Sequence, residues 1–287
     1  MRQPVAAPGG VEGGSGAHTA AGLALHGLAA GYPGRAVIRA LDLPRVPPGS
    51  LVGVLGANAA GKSTLLKAIA GLRPARGRIL LDGEDLNACP PRERLRRVGY
   101  LPQALPQASS LVAYEAMLAA LHASRPELGR ARTQALIEAV FASLGLAGIA
   151  LRPLDELSGG QRQMVGLAQV IARESRLLLL DEPTSALDLR WQLQVLQTVR
   201  TLVDRRQAIC LMALHDLNLA LRFCDRLVVL GPDAVLAAGL PAREVDAGLL
   251  HRAYGVQARI ERCSHGYPVV LVDRAVDAAA SDTDPHP

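Results

Sequence analysis

The stretch LVGVLGANAAGKSTLLKAIAG, residues 51–71, decides how the rest of the chain is read. Leu51 to Leu55 is a short apolar run carrying two valines and followed by Gly56, the pattern of a buried strand. From Lys62 onward, apolar residues recur at helical spacing and stop at Gly71, a natural C-cap. Between strand and helix, Gly56, Ala57, Asn58, Ala59, Ala60, Gly61, Lys62, Ser63 and Thr64 satisfy GxxxxGK[ST]. In such a unit backbone N–H groups converge on phosphate oxygens and the next helix turns its positive end toward them. The lysine then reaches the β- and γ-phosphates, and the Ser63 hydroxyl can ligate Mg²⁺. The pattern specifies nucleoside triphosphate binding and leaves its purpose open.

Two further segments complete this chemistry. Arg176 to Glu182 (RLLLLDE) is an apolar strand ending in carboxylates. A parallel strand places Asp181 at the sheet's carboxyl edge, where it can hold Mg²⁺ through water, and Glu182 suits a general base for the attacking water. Leu157, Ser158, Gly159, Gly160 and Gln161 open the helical stretch RQMVGLAQVIA, giving a second helix N-terminus able to meet an anion.

The wider pattern is α/β. Arg78–Leu81 reads as a strand entering a turn at Asp82-Gly83, and residues 208–214 and 226–230 read as buried strands separated by helical stretches. That alternation marks a mostly parallel sheet covered on both faces. Residues from about 109 to 148 are helical without a strand-like break, a helical subdomain inserted between the two α/β stretches.

Composition bounds the answer further. The chain has 287 residues, 49% apolar and 20% charged, with a net charge of +5. That suits one domain with a sizeable subdomain, or two packed lobes, and excludes an intrinsically disordered chain. Its densest apolar block, Leu177–Leu180, is far shorter than the roughly eighteen residues a membrane span needs. Nearly all basic residues are arginine; the two lysines are Lys62 and Lys67, so a composition that avoids lysine kept one in the loop. Cys89, Cys210, Cys224 and Cys263 form no metal or disulfide ladder, and the seven histidines are scattered, so free thiols in a reducing cytosol are expected. Residues 1–21 and 274–287 read as flexible tails around a single domain at 22–273, with no apolar leader after Met1. The run Arg92 to Arg97 is expected to be a solvated helix face, and no basic stripe suggests nucleic acid.

Taken in order, these motifs resemble the ATPase subunit of ATP-binding-cassette (ABC) transporters over roughly residues 22–273. GANAAGKST resembles the Walker A loop, LSGGQ the signature, and LLLLDEP the Walker B. Ser185 to Asp188 is similar to the D-loop, Tyr100 to Gln103 to the Q-loop, and Leu214-His215-Asp216 to the switch histidine. Tyr32 sits where the family stacks an aromatic ring on adenine. The resemblance implies a RecA-like P-loop NTPase core, a helical subdomain at about 104–158 and an N-terminal antiparallel β subdomain.

It also implies roles. Lys62, Ser63 and the backbone from Asn58 to Thr64 would bind ATP phosphates and Mg²⁺, with Gln103 touching the metal or the attacking water. Glu182 would be the catalytic base and His215 would fix the γ-phosphate and Glu182. Ser158, Gly159, Gly160 and Gln161 would meet a nucleotide held by a second copy, and Asp188 would couple the two sites. The expected partners are that second copy, polytopic permease subunits and, indirectly, a solute-binding protein, at the cytoplasmic face of the bacterial inner membrane. HDLNLALRFCDRLVVL and YGVQARIERCSHGYPVV resemble importers of siderophore, haem and cobalamin chelates, whereas SSLVAYEAMLAAL departs from that branch. Other cargoes (amino acid, lipid or drug) and a soluble ATPase acting on nucleic acid are the alternatives. Ala59 stands where most members have Gly; if its φ is positive, the methyl costs about 1 kcal/mol, with slightly weakened nucleotide affinity expected.

Overall fold

A computed structural model describes residues 21–103, 110–185, 187–232 and 234–276. The chain opens with two long strands, β1 (Leu23–Tyr32) and β2 (Arg35–Val46), then β3 (Leu51–Gly56) and α1 (Lys62–Ala70). Next come β4 (Ala75–Leu81), the short β5 (Glu84–Asp85), α2 (Pro91–Arg97) and β6 (Val98–Leu101). Three helices follow: α3 (Ala113–Ser124), α4 (Arg130–Ser143) and α5 (Gly159–Ala172). The second α/β stretch runs β7 (Leu177–Asp181), α6 (Leu189–Arg206), β8 (Ile209–Ala213), α7 (Leu217–Phe223), β9 (Arg226–Leu230) and β10 (Val235–Pro241). After it come α8 (Ala247–Tyr254) and a hairpin of β11 (Val256–Arg262) and β12 (Pro268–Ala275).

The central sheet has the order β10-β9-β3-β8-β7-β6. Its strands are parallel except β10, which runs antiparallel to β9. Alternate residues of these strands feed two separate cores. Val52, Val54, Leu177, Leu179, Ile209 and Leu211 join α1 and the β1, β2 and β4 sheet, while Leu51, Leu55, Leu178, Leu180, Cys210 and Met212 join the helices of the opposite side. A strand buried on both faces must be apolar throughout, which is why LLLL reads without alternation.

The antiparallel sheet, ordered β2-β1-β4-β5, is the N-terminal β subdomain. The helical subdomain lies inside one crossover: β6 and β7 are parallel neighbours, and α3, α4 and α5 all fall between them in the chain. Its expected start near 104 lies outside the described residues, as do most of both expected tails. Pairing continues through Ala275, two residues beyond the expected end at 273. No described helix is long and apolar enough to cross a membrane.

The basic run differs from its expectation. Arg94 turns inward to donate to the carbonyls of Leu86, Ala68 and Ile69, and Arg97 donates to Leu81 O and pairs with Glu84. These two arginines satisfy carbonyls left open at the α1 C-terminus and along β4, so the solvated face is carried by their neighbours. At the end of α1, Gly71 adopts φ 78° and donates to Ala68 O, as the sequence implied.

Leu179 is fully buried, and Leu189, at the start of α6, is 76% exposed. Leu179→Ala is expected to destabilise the chain by about 2–5 kcal/mol in denaturant unfolding, against less than about 0.5 kcal/mol for Leu189→Ala.

Candidate functional site

Parallel register brings four chain segments to one edge of the sheet. Ala213 pairs with both Val54 and Asp181, and Leu101 pairs with Leu180. The residues that follow these pairs, Gly56 onward, Gln103, Glu182 and His215, therefore converge at the carboxyl ends of the strands.

The loop from Gly56 to Gly61 is bounded by two positions that exclude side chains. Gly56 has φ 146° and a Cβ there would lie 2.5 Å from Leu230 O; Gly61 has φ 104° and a Cβ would lie 2.6 Å from Val37 Cγ1. Lys62 is 5% exposed and reaches back across the loop, donating through Nζ to Gly56 O (2.8 Å) and Ala57 O (3.2 Å). Burial lowers its pKa from the ordinary lysine value, opposed by Glu182 and Asp181. The Gly56 N–H donates to the Tyr254 hydroxyl, 2.9 Å away at the end of α8. Burial pushes that phenol up to about 12, so it stays protonated as it accepts.

Behind the loop, the Ser63 hydroxyl donates to Asp181 Oδ1 (2.9 Å) and the Tyr100 hydroxyl to Asp181 Oδ2 (3.1 Å). Asp181 is 1% exposed, and burial raises its pKa above the usual carboxylate value against those two hydrogen bonds. Glu182, the next residue, accepts from Gln103 Nε2 at Oε2 (2.5 Å) and lies 2.6 Å from His215 Nε2 through Oε1. Gln103 thus holds the candidate base rather than Ser63 or Asp181. A cavity of about 1070 Å³ opens over this group and reaches Tyr32, Asn58, Ala59, Lys62 and Thr64. A serine hydroxyl beside a carboxylate is a hard oxygen donor set that fits Mg²⁺.

Tyr32 is 53% exposed, and the Arg73 guanidinium lies 3.9 Å from its ring centroid while donating to Gly31 O. One face of the ring is thereby covered and the other left for a planar partner.

The signature residues lie on a different surface. Ser158 N-caps α5, its hydroxyl accepting from Gln161 N while Gln161 Oε1 accepts from Ser158 N. Ser158, Gly159, Gly160 and Gln161 share a cavity of about 450 Å³ with Asp188 and Trp191. That cavity and the loop cavity have no lining residue in common. Asp188 in turn N-caps α6 by accepting from Trp191 N.

Sequence reasoning assigned no role to the phenols of Tyr100 and Tyr254, or to Arg73. Nothing in local spacing marks them: Tyr254 is 198 residues from the glycine it holds. The lone signal was a tyrosine three residues ahead of Gln103.

Ala59 has φ 63°, inside the left-handed region. The strain is present before any ligand arrives, so its cost falls on folding rather than on nucleotide affinity. Ala59→Gly is expected to raise thermal stability by a net of about 0.5 kcal/mol, the methyl relief exceeding the entropy of glycine, with nucleotide affinity in calorimetry unchanged within about twofold.

The ABC transporter family profile matches residues 43–185. The hemin import ATP-binding protein of Pseudomonas entomophila is 41% identical over 233 residues, covering 78% of this chain and 89% of that one. The cobalamin import ATP-binding protein of Halobacterium salinarum is 36% identical over 242 residues, covering 83% of this chain and 60% of its own longer length. A solved ABC transporter in an inward-facing conformation shares the fold, with a TM-score of 0.73 at 23% identity over 88% of this chain and 98% of that one. With a relative this similar covered almost end to end, and with the loop, strand-end acids and capped signature helix in place, the chain belongs to the ABC transporter family as an ATP-binding, ATP-hydrolysing subunit.

Proposed function

We propose that this chain hydrolyses ATP as half of a head-to-tail dimer and drives a polytopic permease that imports a chelated metal. The observation that carries this reading is Glu182, fixed by Gln103 and His215 beside a loop whose Lys62 and Ser63 face the same cavity. Both oxygens of Glu182 have a positioned partner and retain lone pairs, so the carboxylate is aimed as a base for a water entering the cavity. Lys62 and the N–H groups from Asn58 to Thr64 take the phosphates, and Tyr32 takes adenine on the ring face that Arg73 leaves free. Ser63 and Asp181 would hold Mg²⁺, which when bound neutralises charge on the phosphate oxygens.

Asn58 and Ala59 on one surface are exposed, as are Ser158, Gly159 and Asp188 on the other. Under two-fold symmetry each surface of one copy meets the other surface of its twin, and both sites are completed at once. Ser158, Gly159, Gly160 and Gln161 then supply donors to the partner's nucleotide, and Asp188 lies between the two sites. Residues 22–273 act as the ATPase domain and about 104–158 as the subdomain that transmits its motion. The chain sits peripherally on the cytoplasmic face of the inner membrane, with a solute-binding protein delivering cargo on the far side. Support for a chelate comes from the relatives' names, hemin and cobalamin both being chelated metal ions.

Glu182→Gln is expected to keep ATP binding, lower turnover by roughly 10²–10⁴-fold and accumulate an ATP-dependent dimer in analytical ultracentrifugation. Ser158→Arg should abolish that dimer. Wild-type turnover in Glu182→Gln would remove the residue from its role, and undiminished hydrolysis in Ser158→Arg would remove the twin.

A further inference from the structure

The end of β6 serves both carboxylates at the end of β7. Tyr100 reaches Asp181, and Gln103, three residues on, reaches Glu182. Register explains the first contact: Tyr100 pairs with Leu179, and Leu179 and Asp181 point to the same face of β7. Val98 and Tyr100 share that face and pack against the core containing α1. Asp181 therefore has one oxygen fixed by Ser63 from α1 and the other by Tyr100 from β6.

From this geometry we infer that Tyr100 is a positioning residue for the divalent cation, orienting Asp181 so that its Ser63-facing oxygen is presented to the metal. The phenol suits the task. Its ring is half-buried, and its hydroxyl donates to the carboxylate from 3.1 Å. A hydrogen-bonded partner behind a metal-binding carboxylate limits its rotation and tunes its affinity. Without the hydroxyl, Asp181 Oδ2 has no other donor among the described residues at this distance, and the buried carboxylate is free to turn away from Ser63.

Tyr100 also lines a surface cavity of about 310 Å³ with Leu72, Pro91 and Leu95. Leu72 is 65% exposed and Leu95 43%. One side chain thus spans from an apolar surface hollow to the acid behind the loop.

The inference rests on the ATPase reading above, and the test separates the two. Tyr100→Phe keeps the ring and removes only the hydroxyl; equal thermal unfolding of variant and wild type checks the fold. Binding of a non-hydrolysable ATP analogue is measured in EDTA, and Mn²⁺ binding to the nucleotide complex is measured by electron paramagnetic resonance. Nucleotide affinity in EDTA is expected to stay within about twofold, while Mn²⁺ affinity falls about tenfold. The Mg²⁺ concentration for half-maximal hydrolysis should rise by the same factor, with kcat largely recovered at saturating Mg²⁺. Mn²⁺ affinity equal to wild type overturns the inference alone. So does a parallel loss of metal-free and metal-dependent nucleotide binding, which marks a general packing defect. Wild-type protein that takes up neither nucleotide nor Mn²⁺ sinks the ATPase reading together with this one.

Discussion

Two adjacent carboxylates, Asp181 and Glu182, are 1% and 7% exposed at the end of a buried strand. Charges removed from water cost several kcal/mol each unless every oxygen finds a partner. The rest of the architecture can be understood as the supply of those partners. Ser63 comes from the start of α1, Tyr100 and Gln103 from the end of β6, and His215 from beyond β8. These elements can meet only because β6 and β8 flank β7 and all run parallel, ending at a common edge. Sheet order and the pairing of these two acids are thus linked: the neighbours of β7 end in the loops that carry Tyr100, Gln103 and His215.

The same strands carry the two cores. With side chains alternating between faces, each apolar run anchors the antiparallel sheet and α1 on one side and the helices on the other. A rigid sheet is what keeps Glu182 within 2.6 Å of a histidine from another strand end. The α8–hairpin unit adds to this rigidity. Tyr254 holds the first peptide of the loop, and Asn218 of α7, three residues beyond His215, accepts from Val270 N of β12. Both halves of the site are braced by the same C-terminal unit.

Much of this was legible in the sequence, for identifiable reasons. Strands buried on both faces, such as LLLL at 177–180, announce themselves as continuous apolar runs, and the loop motif fixes the order of strand, turn and helix. The N-terminal sheet came only through family resemblance. Bulges shift the register between Leu25 and Leu28, and Gly27 there has φ 56°, so β1 lacks the simple alternation that marks a strand. β6 was hidden by its shortness and by the basic helix leading into it. Of the site, Lys62, Ser63, Gln103, Glu182 and His215 meet at one cavity because the loops that carry them follow strands ending at a common edge. Tyr100, Tyr254 and Arg73 were invisible because their partners lie across the fold, where only tertiary register brings a side chain to its acceptor.

In the dimer proposed above, the placement of the helical insert would couple the site to motion. It occupies the crossover from β6 to β7, so α3, α4 and α5 all lie between Gln103 and the return to β7, and α5 opens at its Ser158 cap. Gln103, on the β6 side, holds Glu182, while Ser158, at the start of α5, lies on a separate exposed surface. α5 is tied into the insert by Gln169 donating to Ala116 O, and Arg125 of the α3 end donates to Arg173 O at its far end. The insert therefore moves as a packed unit rather than as a loose loop. In that dimer, Ser158 would travel toward a twin's nucleotide together with the helices packed against α5.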